Sequence, residues 1–383
     1  SHNNGRVEKK LWSSAQQGEK VKLNCYQTGR EEAEAISDIA EKKLKNKYSL
    51  NNVAILVRAI YQTREFEERF LKVGLGYRVL GGTKFYERAE VKDAVAYLRI
   101  VNQKYDDLAL ERVIGNPKRG IGESTLNQLY LFGSKNKLCL EDSIKKNLER
   151  GNLKPKMKTS LTQLTKMIDK WRLDSNTNKH YDLLKIILDE SGYSEMLKNK
   201  NDIENENRLE NIKELLRAMH DYDNVQSFLE HVALATSIDK EWEGEKINLM
   251  TMHAAKGLEF DVVFLPGWEE GLFPHQKSLE EKGDSALEEE RRLAYVGITR
   301  AKKEAYLSFA MKRSYHGEWM DALPSRFVNE MPDDNIEKNE TDTSKDTEQD
   351  FEFNQDPDIN YDIGYKSPGW ERYKKNKVLK WKK

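Results

Sequence analysis

The sequence predicts an α/β fold in which an all-α domain is inserted into one parallel-sheet domain. An early β-α-β-α stretch contains the fully apolar strand VAILVR at Val53–Arg58, which is typical of a parallel sheet buried on both faces. Between about Gly82 and Gly244 the β-branched runs vanish and helical periodicity takes over. Strand signals then return, so we expect both β-rich stretches to share one sheet.

The individual elements follow from local patterns. The run VKLNCY from Val21 predicts a strand, and the charged stretch Arg30–Asn46 predicts a helix. A helix over Thr63–Val73 is predicted to end at Gly74, because glycine commonly closes helices. Helices of the insertion are predicted over Val91–Ile100, Ser124–Leu131, Leu161–Trp171, Tyr181–Leu188, Leu209–Ala218 and Val225–Ala235. Later strands are predicted over Ile247–Met252, Asp261–Leu265 and Ala305–Phe309.

Composition limits the class of protein. At 383 residues the chain is long enough for two domains with their own cores. Lysine plus arginine (64) nearly equals aspartate plus glutamate (65), so any nucleic-acid surface must be local. The two cysteines, Cys25 and Cys139, are far apart without metal-ligand neighbours, which argues against zinc and disulfides. We find no membrane-length apolar run and no signal peptide, and expect a cytoplasmic protein without a membrane partner.

The chain is predicted to divide at three places. Residues 1–82 and 244–331 form the sheet domain in this prediction, 83–243 the helical domain and 332–383 a disordered tail. Residues 333–362 hold twelve acidic side chains against two lysines, whereas 363–383 hold eight Lys/Arg against one Glu, with four large aromatics. The basic end is a candidate for binding nucleic acid or a partner protein; a flexible solubilising tail is the alternative.

The segment TMHAAKGLEF lies between two predicted strands. His253, Lys256, Gly257 and Glu259 are therefore expected on a loop where parallel strands end, which is where such sheets bind ligands. A glycine after a lysine lets the backbone approach a phosphate, and a nearby carboxylate can accept from a ribose hydroxyl. Taken alone, K-G-x-E is a weak motif, and an ordinary loop is the alternative.

TMHAAKGLEF, followed by EEGLFP and EEERRLAYVGITRAKK, resembles motifs five and six of the superfamily 1A DNA helicases, the UvrD/PcrA/Rep group. LGGTKFYERAEVKDAVAYLRIV and NPKRGIGEST also resemble segments of this family, and the resemblance spans most of residues 5–331. It implies a RecA-like, P-loop NTPase-like second motor domain with an inserted helical domain. No G-x-x-x-x-G-K-[ST] loop occurs in the chain, so the resemblance implies that this loop lies in a preceding motor domain.

The resemblance implies a nucleotide-facing group of residues. Arg300 resembles the catalytic arginine that reaches the γ-phosphate of ATP bound with Mg²⁺, a contact typically worth about 10³ to 10⁵ in rate. Its planar fork explains why lysine would replace it poorly. Glu259 resembles the residue that holds the ribose, Gly257 permits close approach, and Lys256 completes the expected contacts.

The resemblance also implies a single-strand track and a strand-separating pin. The expected track contacts are Arg58, Arg64, Thr251, His253 and His275. The segment Ala305–Trp319 predicts a β-hairpin whose tip, Tyr315 or His316, would stack on the last base pair of a fork. Such stacking is worth about 1 to 3 kcal/mol per base.

A loop in the helical insertion is a candidate for binding duplex DNA. Its expected contacts are Lys118, Arg119, Gly120, Gly122 and Thr125. Glycines before a helix expose backbone N–H groups, and the helix dipole adds positive potential, so a phosphate fits there without base readout. A simple turn is the alternative, and the resemblance favours the DNA contact.

The resemblance therefore implies the C-terminal motor half of an ATP-dependent 3′–5′ DNA helicase used in DNA repair, whereas the residue patterns alone predict an α/β domain with a phosphate-facing loop and a helical insertion. Its expected partners are a single-strand/duplex DNA junction, the missing N-terminal motor domain and repair proteins. Two alternatives stay open: a non-catalytic DNA-binding module with a helicase fold, and an interaction protein that acts through its charged tail.

Overall fold

The computed structural model describes residues 18–45, 48–151, 153–199, 203–237, 244–315 and 318–339. The strands are β1 (Val21–Thr28), β2 (Val53–Val57), β3 (Tyr77–Val79), β4 (Ile247–Thr251), β5 (Phe260–Leu265), β6 (Ala301–Tyr315), β7 (Glu318–Asp321) and β8 (Ile336–Asn339). The helices are α1 (Gly29–Lys45), α2 (Thr63–Val73), α3 (Ala89–Asn102), α4 (Asp107–Gly115), α5 (Glu123–Asn136), α6 (Leu140–Arg150), α7 (Pro155–Asp174), α8 (His180–Glu190), α9 (Tyr193–Lys198), α10 (Ile203–Met219), α11 (Val225–Ser237), α12 (Gln276–Lys282), α13 (Asp284–Ile298) and α14 (Arg326–Asn329).

One sheet joins the two β-rich stretches, as predicted. Its strand order is β3-β4-β2-β5-β6-β1-β8, with β7 paired to β6. Strand β2 lies between β4 and β5 and is parallel to both, with Val57 opposite Thr251 and Ile55 opposite Phe264. All five residues of β2 are buried, which explains why this strand is apolar throughout. The predicted α/β fold is confirmed.

Both faces of the sheet carry a hydrophobic core. Alternate residues of β2 point to opposite faces: Ala54 and Leu56 pack in one core with residues of α13, and Ile55 packs in the other with residues of α1 and α2. Each fully buried aliphatic side chain of this kind contributes about 1.5 to 3 kcal/mol. Helix α2 ends where predicted, because Gly74 adopts the left-handed conformation, with φ of 66°, that closes a helix.

The sheet extends into the predicted tail. Residues 336–339 form β8, which pairs in parallel with β1, with Lys338 opposite Leu23. An edge strand needs mainly backbone hydrogen bonds. Of the described side chains of β8, Ile336 is buried and Glu337 and Lys338 are exposed, so the acidic composition of the surrounding segment obscured the strand. The disordered tail predicted from residue 332 is therefore wrong for residues up to 339. Residues 340–383 lie outside the described part of the chain.

The described residues between Gly82 and Gly244 form a second unit, which is all-helical and has its own internal contacts. It contains α3 to α11, including the six predicted helices; α4, α6 and α9 were not predicted. Its core contains a group of aromatic rings: the ring of Tyr97 meets those of Trp171 and Tyr193 edge-on, with centroids 6.0 and 6.2 Å apart. No helix in the described ranges is long and apolar enough to span a membrane.

Candidate nucleotide and nucleic-acid sites

Arg300 and the Lys256–Glu259 segment lie together at the amino end of two neighbouring strands. Phe260 and Ala301 open β5 and β6 and face each other in the sheet, and the Phe260 N–H donates to the Arg300 carbonyl at 2.9 Å. The sequence interpretation placed this segment where strands end. The predicted loop between the two strands is present: it leaves the carboxyl end of β4, where the Ala255 N–H donates to the Thr251 carbonyl at 3.1 Å, but its last residues return to the amino end of β5, which the sequence interpretation did not foresee.

The Arg300 guanidinium is held at the surface by its own domain. Nε donates to the Val296 carbonyl at 3.0 Å, Nη1 to the Leu258 carbonyl at 3.0 Å and Nη2 to Thr299 Oγ1 at 3.1 Å. These contacts use three of the five N–H donors of an arginine. The side chain is partly exposed, so the other two donors remain for an anion.

The loop beside Arg300 is exposed and fits an anionic ligand. Gly257 has φ of 88°, a conformation that favours glycine, and a Cβ there would meet no atom within 4 Å. Lys256 is exposed, and Lys302 Nζ lies 3.7 Å from Glu259 at the same edge. The cations suit phosphate groups and the carboxylate suits a hydroxyl. Among the described residues no group of three potential ligands could hold a metal ion.

A second group lies at the opposite, carboxyl edge of the sheet. Arg58 follows β2, and Thr251 ends the neighbouring β4; the Met252 N–H donates to the Val57 carbonyl at 2.9 Å. His253 is exposed and near Arg58. Desolvation and the positive charge of Arg58 lower the pKa of the His253 imidazole below its ordinary value. The structure thus brings three of the expected track residues together.

Arg58 is bound to a buried carboxylate that the sequence interpretation missed. Arg58 Nε donates to both carboxylate oxygens of Glu290, at 2.9 and 3.0 Å, and Nη2 donates to Oε1 at 2.6 Å. The other oxygen, Oε2, accepts the His275 backbone N–H at 3.2 Å. A signal existed: Glu290 shares the buried face of α13 with Leu293 and Gly297, and a carboxylate on an apolar face needs a cationic partner.

The remaining expected track residues are less accessible. Arg64 is only 8% exposed and lies 3.8 Å from Glu65, so little of its guanidinium can reach a phosphate. His275 is partly buried. Thr251, already placed at the carboxyl edge, has its Oγ1 engaged by the Ala254 N–H at 3.2 Å. Arg64 follows the first residue of α2, and helix packing rather than composition decides its burial.

The predicted hairpin is present as the pairing of β6 with β7. Its aromatic tip remains a prediction. His316 lies outside the described residues, as does the side chain of Tyr315.

The Lys118–Thr125 loop of the helical unit has the predicted turn. Gly120 has φ of 73°, and Gly122 is the N-cap of α5, whose first turn includes Thr125. Lys118 is exposed. Arg119, in contrast, is engaged internally: it donates to the carbonyls of Val113 and Pro117, the latter at 2.9 Å, and to the Tyr97 hydroxyl at 3.0 Å. Arg119 therefore braces the loop instead of facing solvent freely.

Comparisons with known proteins agree with this geometry. Residues 1–312 match the UvrD-like helicase C-terminal domain. The chain is 44% identical to the DNA helicase II of Rickettsia typhi over 87% of its length and 51% of that relative. It is also 44% identical to a probable DNA helicase II homolog of Rickettsia felis, covering 87% of this chain and 52% of that relative.

A third relative, the ATP-dependent DNA helicase PcrA of Bacillus subtilis, is 39% identical over 88% of this chain and 47% of its own length. The chain thus spans about half the length of the curated relatives it matches. The resemblance carried by TMHAAKGLEF and EEERRLAYVGITRAKK is confirmed: the chain belongs to the UvrD-like helicase C-terminal domain family.

Proposed function

We propose that this chain is the C-terminal motor half of an ATP-dependent DNA helicase that moves 3′ to 5′ and unwinds duplex DNA in repair. One observation carries the proposal: the Arg300 guanidinium is anchored to the Leu258 carbonyl, within the exposed Lys256–Glu259 loop, with two donors to spare. Residues 1–82 and 244–331 would form the motor domain and 83–243 the inserted domain; the division of contacts at Gly82 and Gly244 supports these boundaries.

Arg300 supplies the charge that phosphoryl transfer requires. Its fixed fork donates two N–H groups to the γ-phosphate of ATP, which with Mg²⁺ is held mainly by another motor domain. Lys256 and Gly257 approach the phosphates, and Glu259 accepts from the ribose. The exposed apolar side chains of Leu258 (41%) and Tyr295 (51%) beside the guanidinium favour a surface that another protein domain covers.

The carboxyl edge supplies the single-strand track in this proposal. Arg58 and His253 face the DNA backbone there, and His275 adjoins them through Glu290. Phosphate contacts of this kind fix the register of the strand without reading bases, as a translocating motor requires. Lys118 and the start of α5 hold the duplex, and the β6–β7 hairpin separates its strands.

Arg300 is the residue on which to test the proposal. The chain alone should not hydrolyse ATP, since it contains no phosphate-cradling loop. Addition of a motor domain that carries this loop should restore DNA-stimulated hydrolysis. With Arg300→Ala that restored rate should fall by about 10³-fold or more, and Arg300→Lys should rescue it poorly.

Arg292→Ala is the matched control. Arg292 lies on α13 but is 55% exposed, and its ion pairs within the described ranges are with its helix neighbours Glu288 and Glu289, so its loss should leave the restored rate unchanged. Equal rates for the wild-type and Arg300→Ala chains would remove Arg300 from the mechanism. Hydrolysis by the unmixed chain would refute the half-motor assignment.

A further inference from the structure

We propose that Glu290 is a positioning residue for DNA binding: it holds Arg58 so that the far edge of its guanidinium meets a phosphate of the single strand. The inference rests on the proposed single-strand track at the carboxyl edge of the sheet. Glu290 touches no substrate in this proposal and acts through Arg58.

The geometry separates the two edges of the Arg58 guanidinium. The Glu290 carboxylate accepts hydrogen bonds from Nε and from one N–H of Nη2, at distances of 2.6 to 3.0 Å. The remaining three donors belong to Nη1 and to the second N–H of Nη2. The Arg58 side chain is 17% exposed. In this proposal the phosphate meets the edge that Glu290 leaves open.

The same carboxylate anchors a second predicted DNA contact. Glu290 Oε2 accepts the His275 backbone N–H at 3.2 Å, so Arg58 and the His275 segment are fixed relative to each other. His253 lies near enough for the charges of both Arg58 and Glu290 to act on its imidazole. Glu290 is thus the common neighbour of Arg58, His253 and His275, although these come from three separate segments of the chain.

The burial of Glu290 distinguishes this arrangement from an ordinary surface ion pair. Its side chain is 5% exposed, and it belongs to the face of α13 that packs against the sheet. A surface pair would let the arginine sample many rotamers, whereas this carboxylate has a fixed place and imposes one orientation on the guanidinium. A phosphate then binds a preorganised donor edge, and less side-chain entropy is lost on binding.

The carboxylate has opposite effects on DNA through its charge and through its hydrogen bonds. Its negative charge repels a nearby phosphate, while its hydrogen bonds orient Arg58. Glu290→Gln removes the charge and keeps one oxygen, in the place of Oε1, that accepts from both Nε and Nη2; its amide nitrogen replaces Oε2 and no longer accepts the His275 N–H. Glu290→Asp keeps the charge but withdraws the carboxylate by one methylene. Positioning therefore predicts that the glutamine variant binds DNA well and the aspartate variant binds it poorly.

The experiment measures binding of the full chain to a fluorescent oligothymidine over a range of salt concentrations. Glu290→Asp and Glu290→Ala should weaken binding about tenfold and reduce the salt slope by about one, as the loss of one phosphate contact does. Glu290→Gln should bind within about threefold of the wild type. Arg58→Ala should match Glu290→Ala, and the double variant should be no weaker than Arg58→Ala alone, since both act through one contact.

Glu330→Ala is the matched control. This variant breaks the ion pair between Arg291 Nε and Glu330 Oε2, which are 2.6 Å apart. Arg291 follows Glu290 on α13 but is not one of the proposed track residues, so DNA binding should not change. If Arg58→Ala binds like the wild type, the proposed track itself fails. Weak binding by Arg58→Ala alongside normal binding by Glu290→Asp would overturn the positioning role, as would additive losses in the double variant.

Discussion

Tyr97 decides whether Arg119 braces its loop or binds DNA. The Tyr97 side chain is fully buried; its hydroxyl donates to the Asn116 carbonyl at 2.8 Å and accepts from Arg119 Nη2 at 3.0 Å. Tyr97→Phe leaves a carbonyl and a guanidinium N–H without these partners, which costs about 1 to 3 kcal/mol. We expect that loss to appear as local opening of the loop, with hydrogen exchange over residues 116–126 about tenfold faster or more.

Exchange measured by mass spectrometry, combined with duplex binding, separates the two roles. Lys118→Ala should leave exchange unchanged, weaken duplex binding and lower the salt slope by about one. Tyr193→Phe is the control: its hydroxyl donates to Asp93 at 2.8 Å in the same core, so the variant should leave duplex affinity intact. An Arg119→Ala chain that lowers the salt slope by one without faster exchange would show that Arg119 binds phosphate and refute the bracing role.

Three other outcomes follow from the structure. Burial opposes ionisation of Glu304, but hydrogen bonds led by that of Lys43 lower its pKa to about 2, so about 3 kcal/mol of stability should be lost as the pH falls from 4.5 towards 2, and Glu304→Gln should flatten the acid limb of a denaturation series. Gly297→Ala should destabilise the chain by about 1 to 3 kcal/mol, because its Cβ would meet a core leucine methyl at 2.8 Å, whereas Gly115→Ala, with open space, should be neutral or stabilising in urea titrations. Since desolvation and Arg58 lower the pKa of His253, and a bound phosphate would favour its protonated form, oligonucleotide affinity should rise as the pH falls through the acidic range, and the rise should vanish in His253→Gln.

The fold was largely predictable because its signals are local. Strand β2 is apolar along its whole length, and Gly74 marks the end of α2, so neither required knowledge of distant residues. The helical insertion was evident from a change of periodicity. Strand β8 was missed because its place depends on the open edge of β1, which composition does not report.

The sites were predictable only as residue types. Motif order indicated that Arg300 and Lys256–Glu259 serve one ligand, and the structure places them side by side. The availability of each cation depends on tertiary partners far away in sequence. Arg58 is bound by a residue 232 positions along the chain, and Arg119 by a tyrosine 22 positions earlier. Local patterns identified both arginines and could not show which donors each has left.

Helix α13 runs from the carboxyl edge of the sheet to its amino edge and so connects the two candidate sites. Glu290 lies in its middle and pairs with Arg58 at the carboxyl edge, while Arg300 follows its last residue at the amino edge. With a rise of about 1.5 Å per residue, the eight steps from Glu290 to Ile298 span about 12 Å. Near the end of this span the helix packs closely at Gly297, where an added Cβ would meet the side chains of Leu265 and Met252 at 2.8 and 3.0 Å. A close-packed helix moves as a unit, so a shift of Glu290 that accompanied DNA binding would be carried to the segment that holds Arg300.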